Sequence, residues 1–564
     1  MRSTEDPGEA REAAAPLDLL LTQAALGPAR RFLPGMSGVR FLGALARRPE
    51  RVATRLAGLT GELARIAVGA SDVAPSTRDR RFADPAWTQN PVLRRVVQAY
   101  LAAGETVEGL VQDVPLEWRD AERVKFVASN VVEAVSPSNN PFISPVGWKA
   151  AIDTGGANVI AGPRHLVGDL ASSPRVPSMV DSDAYRVGED LAVTPGAVVL
   201  RTPVFELIQY RPQTPAVHTV PVLVVPPTIN KYYVLDLAPG RSLVEFLVQQ
   251  GQQVFVMAWR NPDARHSTWG FDTYVRAIFE ALDTAQDICD VDRTHLMAAC
   301  SGGILSSMAA AHLAATDRLD RLASLDLLVT VIDQSRAGLT SAMIDEKLAA
   351  QAVAASRRQG YLDGRKLAEV FAWLRPGDLV WNYWVNNYIQ GRQPPTFDIL
   401  FWNADTTRMP AQLHRDFVDV AVHNRLVSPG GVTVLDTEID LKRVTVDSYV
   451  VAGSADHICP WQSCYRSSQL LGGDVRFVLS TNGHIAALVN PPSNPKSSYR
   501  VVDDNAAQPD EWAQGAPAEK GSWWPDYAAW LAARSGEEKA APEVLGNDRH
   551  RVLEDAPGSY VLDT

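Results

Sequence analysis

From residue 221 onward, short apolar runs alternate with amphipathic stretches, and this alternation limits the fold more than any other feature of the chain. PVLVVPP (221–227) reads as a strand and RSLVEFLVQQG (241–251) as a helix. QQVFVMAW (252–259) and YVRAIFEALDTAQDI (274–288) repeat the pair. THLMAAC, ending at Cys300, precedes the helical ILSSMAAAHLAAT, and SLDLLVTVID (324–333), DSYVVAG (447–453) and VRFVLST (475–481) supply further strands. Runs that are apolar throughout suit strands covered on both faces, and the helices between them suit right-handed parallel crossovers. The expectation is an α/β sheet.

The rest of the chain divides around that series. At 564 residues it is too long for one compact core. Residues 1–180 carry helical periodicity without a strand series, as in VRFLGALARRPERVATRLAGLTGELARIAVG, and are expected to form a helical N-terminal domain. Residues 181–535 hold the α/β domain. Within it the alternation lapses over about 334–446, too long a stretch for a loop, so a structured cap insertion is expected there. That stretch is rich in aromatics: Trp373, Trp381, Tyr383, Trp384, Tyr388, Phe397, Phe401 and Trp402. They read either as the insert's own core or, in part, as the lining of an apolar tunnel under a water-excluding lid. Residues 536–564, charged and bearing Pro and Gly, read as a peripheral tail.

The segment HLMAACSGGILSS (295–307) has the strand, sharp turn, helix layout of a nucleophile elbow, with Cys300 at the turn. On that fold the acid and then the histidine follow in chain order, each just beyond a strand. Asp456 lies in the loop SADHICPW after one strand, and His484 in NGHIAALVNPP after the next. Gly483 would allow an unusual backbone angle before the histidine. Cys300, Asp456 and His484 are thus the candidate triad of an α/β-hydrolase fold: nucleophile, orienting acid and general base. The Ser301 N–H is one expected oxyanion donor, and a second should come from the loop near Thr228 and Ile229. The alternatives are ordinary ones. A cysteine at a strand end is commonly buried filler, Asp333 also follows a strand, and His457 neighbours Asp456. Ala298 stands where the elbow pattern usually has its first Gly, while Gly302 keeps the second.

RRFADPAWTQNP, VVPPTINKYYVLDLAPGRSL, AWRNP, AACSGG, RPGDLVWNYWVNNY, FDILFWNADTTRMP, AGSADHICPW and NGHIAALVNPP occur in this order between about residues 76 and 535. In these the chain resembles bacterial polyhydroxyalkanoate synthases, most closely the type II, single-subunit kind. The resemblance implies (R)-3-hydroxyacyl-CoA thioesters as substrates, with CoA as leaving group and no separate cofactor. It implies a polyester product, association with a polymer granule in the cytoplasm, a homodimer, and a preference for medium-chain monomers. It places nucleophile, acid and base on Cys300, Asp456 and His484. The family's corresponding motif begins with Gly where this chain has Ala298. Two rivals are a cysteine-dependent esterase or thioesterase on the same fold, and a non-catalytic granule-associated protein.

Composition sets outer limits. Net charge is -11, so no global basic field would draw nucleic acid. The polar, acid-rich start MRSTEDPGEAREAAAPLD has no apolar signal core, and no run approaches the roughly 20 apolar residues of a membrane helix. The cysteines Cys289, Cys300, Cys459 and Cys464 are few, which fits a reducing cytoplasm rather than a disulfide scaffold. Their spacing completes no zinc pattern, so no metal is expected.

Overall fold

The structure is a computed structural model that describes residues 35–77, 79–171, 173–335, 346–374, 376–503 and 505–564. The first 34 residues of the expected helical domain and residues 336–345 of the expected cap lie outside them. Two compact units emerge. One joins residues 35–181 to 365–396; the other holds 182–364 and 397–564.

The helical unit contains α1 (Gly35–Ala46), α2 (Pro49–Val68), α3 (Pro91–Gln112), α4 (Trp118–Ala134), α5 (Pro145–Asp153) and α6 (Asn158–Ala171). Several ends follow from sequence. Asn90 caps α3 by accepting from the Val92 and Leu93 amides, and Gly69 ends α2 in the left-handed conformation. Arg55 of α2 reaches both carboxylate oxygens of Asp113, at 2.8 and 3.0 Å, where α3 ends. The loop RRFADPAWTQNP folds Phe82 and Trp87 edge-to-face over Val97 of α3.

The middle of the expected cap, residues 365–396, belongs to this helical unit. Trp373, Trp381, Trp384 and Tyr388 form a string of edge-on rings at 5.1–6.1 Å. Tyr388 also donates to Asp169 of α6 at 2.7 Å. Gly162 of α6 lies so close to this segment that a Cβ there would sit 1.9 Å from the Tyr388 carbonyl oxygen. For these four aromatics the observed role is packing within the helical unit, and the boundaries 334–446 do not delimit one compact insert.

The other unit is built on an eleven-stranded sheet. Its strands are β1 (Gly196–Arg201), β2 (Phe205–Tyr210), β4 (Val222–Val225), β5 (Val254–Trp259), β6 (Thr294–Ala299), β7 (Leu322–Leu328), β8 (Ser448–Gly453), β9 (Val475–Ser480), β10 (Ser498–Val501), β11 (Ala518–Lys520) and β13 (Glu554–Asp555). β3 (Ala216–His218) and β12 (Glu538–Ala540) pair separately. The order across the sheet is β11-β10-β9-β8-β7-β6-β4-β5-β2-β1-β13. The six strands from β5 to β9 are parallel. They are the continuous apolar runs of the sequence, and every residue of β4, β6 and β8 is buried. Helices α7 (Leu243–Gln249), α8 (Phe271–Cys289) and α9 (Ser301–Ala315) make the first crossovers. α9 has apolar or small residues on all sides, as a helix buried nearly all round requires.

The expectation of a peripheral tail after residue 535 is overturned. β12 pairs with β3, β13 extends the sheet beyond β1, and buried Glu206 of β2 accepts from the Ser559 and Tyr560 amides at 3.0 and 2.9 Å. The tail's charged composition suits a short edge strand as well as it suits a loose end. Among the described residues no helix is long and apolar enough to cross a membrane.

Candidate active site

The candidate triad residues all follow the C-terminal ends of parallel strands. Cys300 follows β6 directly, Asp456 follows β8 by three residues and His484 follows β9 by four. Because β7 separates β6 from β8 and β9 lies beside β8, the three loops emerge along one edge of the sheet. This is the crevice where open α/β sheets place their chemistry.

The elbow is strained. Cys300 has φ 51° and ψ -120°, a conformation that L-residues avoid, and it begins α9. Its thiol therefore stands at a helix N-terminus, where thiolate is favoured. The need for small residues falls on the glycines. A Cβ at Gly302 would lie 2.4 Å from the Pro226 carbonyl oxygen and 2.6 Å from that of Val225; one at Gly303 would lie 2.1 Å from Thr330 Oγ1. Ala298 is fully buried within the sheet, in register with Val225 on one side and Leu327 on the other. Its methyl is enclosed on a face of the sheet, while Gly302 and Gly303 provide the close approach of helix to strand.

Asp456 is fixed by its own loop. Oδ1 accepts from the Ile458 and Cys459 amides, both at 2.8 Å, and Oδ2 is 2.7 Å from His484 Nδ1. The carboxylate is fully buried. With Nδ1 committed to Asp456, the ring turns its other nitrogen toward the sulfurs: ligand atoms of His484, Cys300 and Cys459 lie within 4.8 Å of one another. The left-handed residue before the histidine is Asn482, at φ 88°. Gly483 is extended at φ -86°, so its expected unusual angle belongs to its neighbour.

The electrostatics favour a thiolate–imidazolium pair. Hydrogen bonding from the Cys459 thiol holds the Cys300 thiol well below its ordinary range. Burial opposes this, and His484 and the Ser301 amide reinforce it. Burial alone would lower the His484 ring, but Asp456 and then Cys300 outweigh it and raise it.

The rivals lie elsewhere. Asp333 accepts from Asn424 Nδ2 at 3.0 Å and from the Ser335 amide at 2.9 Å, with Arg466 at 3.7 Å. The histidine in the cluster with the sulfurs is His484, not His457.

Two features of the expected oxyanion region were not legible in the sequence. The Ser301 hydroxyl is fully buried and accepts from the Thr228 amide at 2.9 Å, with the Thr228 hydroxyl 3.1 Å away. It therefore ties the loop after β4 to the elbow and uses the Thr228 amide, leaving Ile229, the next residue, as the expected donor. Further along the same loop, Trp402 Nε1 donates to the Lys231 carbonyl at 2.7 Å, and Lys231 and Tyr233 both reach Asp405 at 2.9 Å. The motif FDILFWNADTTRMP thus braces that loop. Ser301→Ala is expected to lower stability by about 1–3 kcal/mol, because the Thr228 amide loses its buried partner. Thermal denaturation reads that loss, and alkylation of Cys300 should proceed at nearly the wild-type rate.

The fold and its elbow define an α/β-hydrolase-type protein with Cys300 at the elbow turn, and an alpha/beta hydrolase fold model matches residues 221–491. A second family model, for the poly-beta-hydroxybutyrate polymerase (PhaC) N-terminus, matches residues 78–247. Poly(3-hydroxyalkanoate) polymerase 2 of Ectopseudomonas oleovorans is 44% identical over 516 residues, 92% of each chain. Polymerase 1 of the same organism is 42% identical, over 91% of this chain and 92% of its own. The polymerase subunit PhaC of Cupriavidus necator is 39% identical over 88% of this chain and 85% of its own. The chain belongs to the poly(3-hydroxyalkanoate) polymerase family.

Proposed function

We propose that this chain joins (R)-3-hydroxyacyl units from CoA thioesters into a polyester, with Cys300 as the covalent carrier. The observation that carries the mechanism is the Asp456–His484–Cys300 alignment, a buried carboxylate 2.7 Å from an imidazole whose far side faces the elbow sulfur.

Cys300 thiolate attacks the thioester carbonyl. The developing oxyanion faces the Ser301 amide and, on this reading, the Ile229 amide. The carbon–sulfur bond to CoA breaks, and the departing thiolate takes the His484 proton. Acylation also removes the negative charge that helped to raise His484, so the imidazole moves toward a usable base. It then accepts the proton of a 3-hydroxyl, from another monomer or a chain end, as that oxygen attacks the acyl-Cys300. Cys300 leaves as thiolate and the new ester lengthens the chain.

A thiol suits this cycle. Transfer from CoA sulfur to Cys300 sulfur exchanges one thioester for another at nearly equal free energy. A serine ester would be a lower resting point from which the next transfer is harder.

The polymer is apolar, and the helical unit offers a surface for it or for a second copy. Trp148 and Ile152 of α5 and Val159 and Ile160 of α6 are all more than half exposed. Granule association and a homodimer are part of this proposal, as is a medium-chain preference.

The test is to supply 3-hydroxyacyl-CoAs from four to twelve carbons separately and to follow CoA release and product. Insoluble polyester with CoA release at the medium lengths is expected. Free hydroxy acid as the main product would favour the esterase reading, and release of neither would favour a granule-coating role.

A further inference from the structure

A second thiol at the site takes no acyl group in that cycle. Cys459 closes the turn that begins at Asp456, and its amide is one of the two that hold Asp456 Oδ1. That turn brings its buried sulfur within 4.8 Å of the Cys300 sulfur. The sequence hides this, because 158 residues intervene between the two and Cys464 is the nearer neighbour of Cys459 along the chain. Cys464 makes a different contact, pointing its sulfur at the Cys459 carbonyl oxygen from 3.7 Å.

We propose that Cys300 and Cys459 form a reversible disulfide in response to hydroperoxides, with Cys300 as the reacting thiol and Cys459 as the resolving one.

The two cysteines are unequal in the way such a pair requires. Cys300 is partly exposed, stands at a helix N-terminus and faces the imidazole, so it presents thiolate to an incoming oxidant. Cys459 is buried and its thiol is pushed well up, so it stays protonated until Cys300 has reacted. A reactive, accessible thiolate beside a second thiol is the arrangement of redox-responsive cysteines.

The chemistry balances. Cys300 sulfur attacks one peroxide oxygen, the O–O bond breaks, and the departing oxygen leaves as water or alcohol after taking the His484 proton. Cys300 is now a sulfenic acid. Cys459 sulfur attacks that sulfur, an S–S bond forms, the S–O bond breaks, and hydroxide leaves with the Cys459 proton as water. Two thiols have lost two electrons, and the peroxide has gained them. A dithiol reverses the change by exchange. The disulfide blocks the nucleophile but spares it from sulfinic acid, which thiols do not reduce.

The loss of polymerisation on oxidation rests on the reading of Cys300 as nucleophile; formation of the disulfide does not. The test uses the full chain, freed of reductant and treated with hydrogen peroxide in the presence of a chelator. Intact mass and proteolytic mapping should show loss of two hydrogens and a peptide pair joined through Cys300 and Cys459. CoA release should disappear and return almost completely with a dithiol. Cys459→Ser, and Cys459→Ala as a second variant, should lose activity that a dithiol does not restore, with Cys300 found as sulfinic acid. Each variant is scored against its own untreated rate.

A cross-link through Cys464 or Cys289 instead, or dithiol-reversible inactivation that persists in both Cys459 variants, would overturn the proposal. Mapping in the wild type decides the matter even if neither variant folds. A Cys300–Cys459 cross-link with undiminished CoA release would keep the disulfide and overturn the assignment of Cys300 as nucleophile.

Discussion

Cys300→Ala is expected to abolish polymer formation and to cut CoA release about ten-thousandfold or more, the scale on which triad enzymes lose rate with their nucleophile. Neither of the two nearest candidate nucleophiles among the described residues replaces the thiolate. The Ser301 hydroxyl is bonded to Thr228 and fully buried, and the Cys459 thiol, though within 4.8 Å of the Cys300 sulfur, is buried and pushed well up, so it is held protonated. The same position allows a companion result of opposite sign. Cys300 is held at φ 51° and ψ -120°, where a Cβ is unfavourable. Cys300→Gly should therefore be equally inactive yet more stable than Cys300→Ala, by about 1 kcal/mol. A higher melting temperature for the glycine variant, with both variants inactive, would show strain held at the elbow. Comparable CoA release by Cys300→Ala and wild type would sink the mechanism whatever the melting temperatures.

The elbow was legible because its constraints are local. A buried strand, a tight turn and a buried helix each leave a pattern in a few consecutive residues, and HLMAACSGGILSS has all three. The central strands were legible for the same reason: VRFVLST and DSYVVAG are apolar throughout because neighbours cover both faces. β1, β2, β10 and β13 were not read as strands. They lie toward the sheet edges, pair antiparallel and carry polar residues such as Arg201, Glu206, Arg500 and Glu554. Their membership depends on partners distant in sequence; β13 joins β1 from more than three hundred residues away. The grouping of residues 365–396 with the helical unit was hidden likewise. Four aromatics in a row fit a tunnel lining and a helix-packing string equally well until their neighbours are known. At the site, residue types and order were enough to propose Cys300, Asp456 and His484. The Ser301–Thr228 tie, the bracing by Trp402 and the approach of Cys459 to Cys300 are contacts between separate loops, and no short pattern encodes them.

Asp456→Asn separates the two halves of the cycle. The carboxylate has three partners, the Ile458 and Cys459 amides on Oδ1 and the His484 ring on Oδ2. Asparagine keeps the shape and one acceptor oxygen. If that oxygen stays with the two amides, an NH2 group faces Nδ1 and favours the wrong tautomer, whose proton lies on the nitrogen facing sulfur. Polymerisation should fall by about a hundredfold to ten-thousandfold, within the range that loss of the orienting acid costs in triads. The thiolate should respond separately. Asp456 is the leading influence that raises His484, and His484 in turn helps to hold the Cys300 thiol low. Without the carboxylate the imidazolium is lost at lower pH, so the thiolate loses that part of its support. Alkylation of wild-type Cys300 should stay fast as pH falls below the ordinary thiol range and decline only through its depressed value. In Asp456→Asn the midpoint should move upward, so the variant reacts more slowly than wild type on the acid side and approaches it on the alkaline side. The shift should be partial, because the Cys459 hydrogen bond, the Ser301 amide and the helix N-terminus remain. An unchanged alkylation profile together with lost polymerisation would confine Asp456 to the deacylation step, where His484 must act as a base with its tautomer fixed.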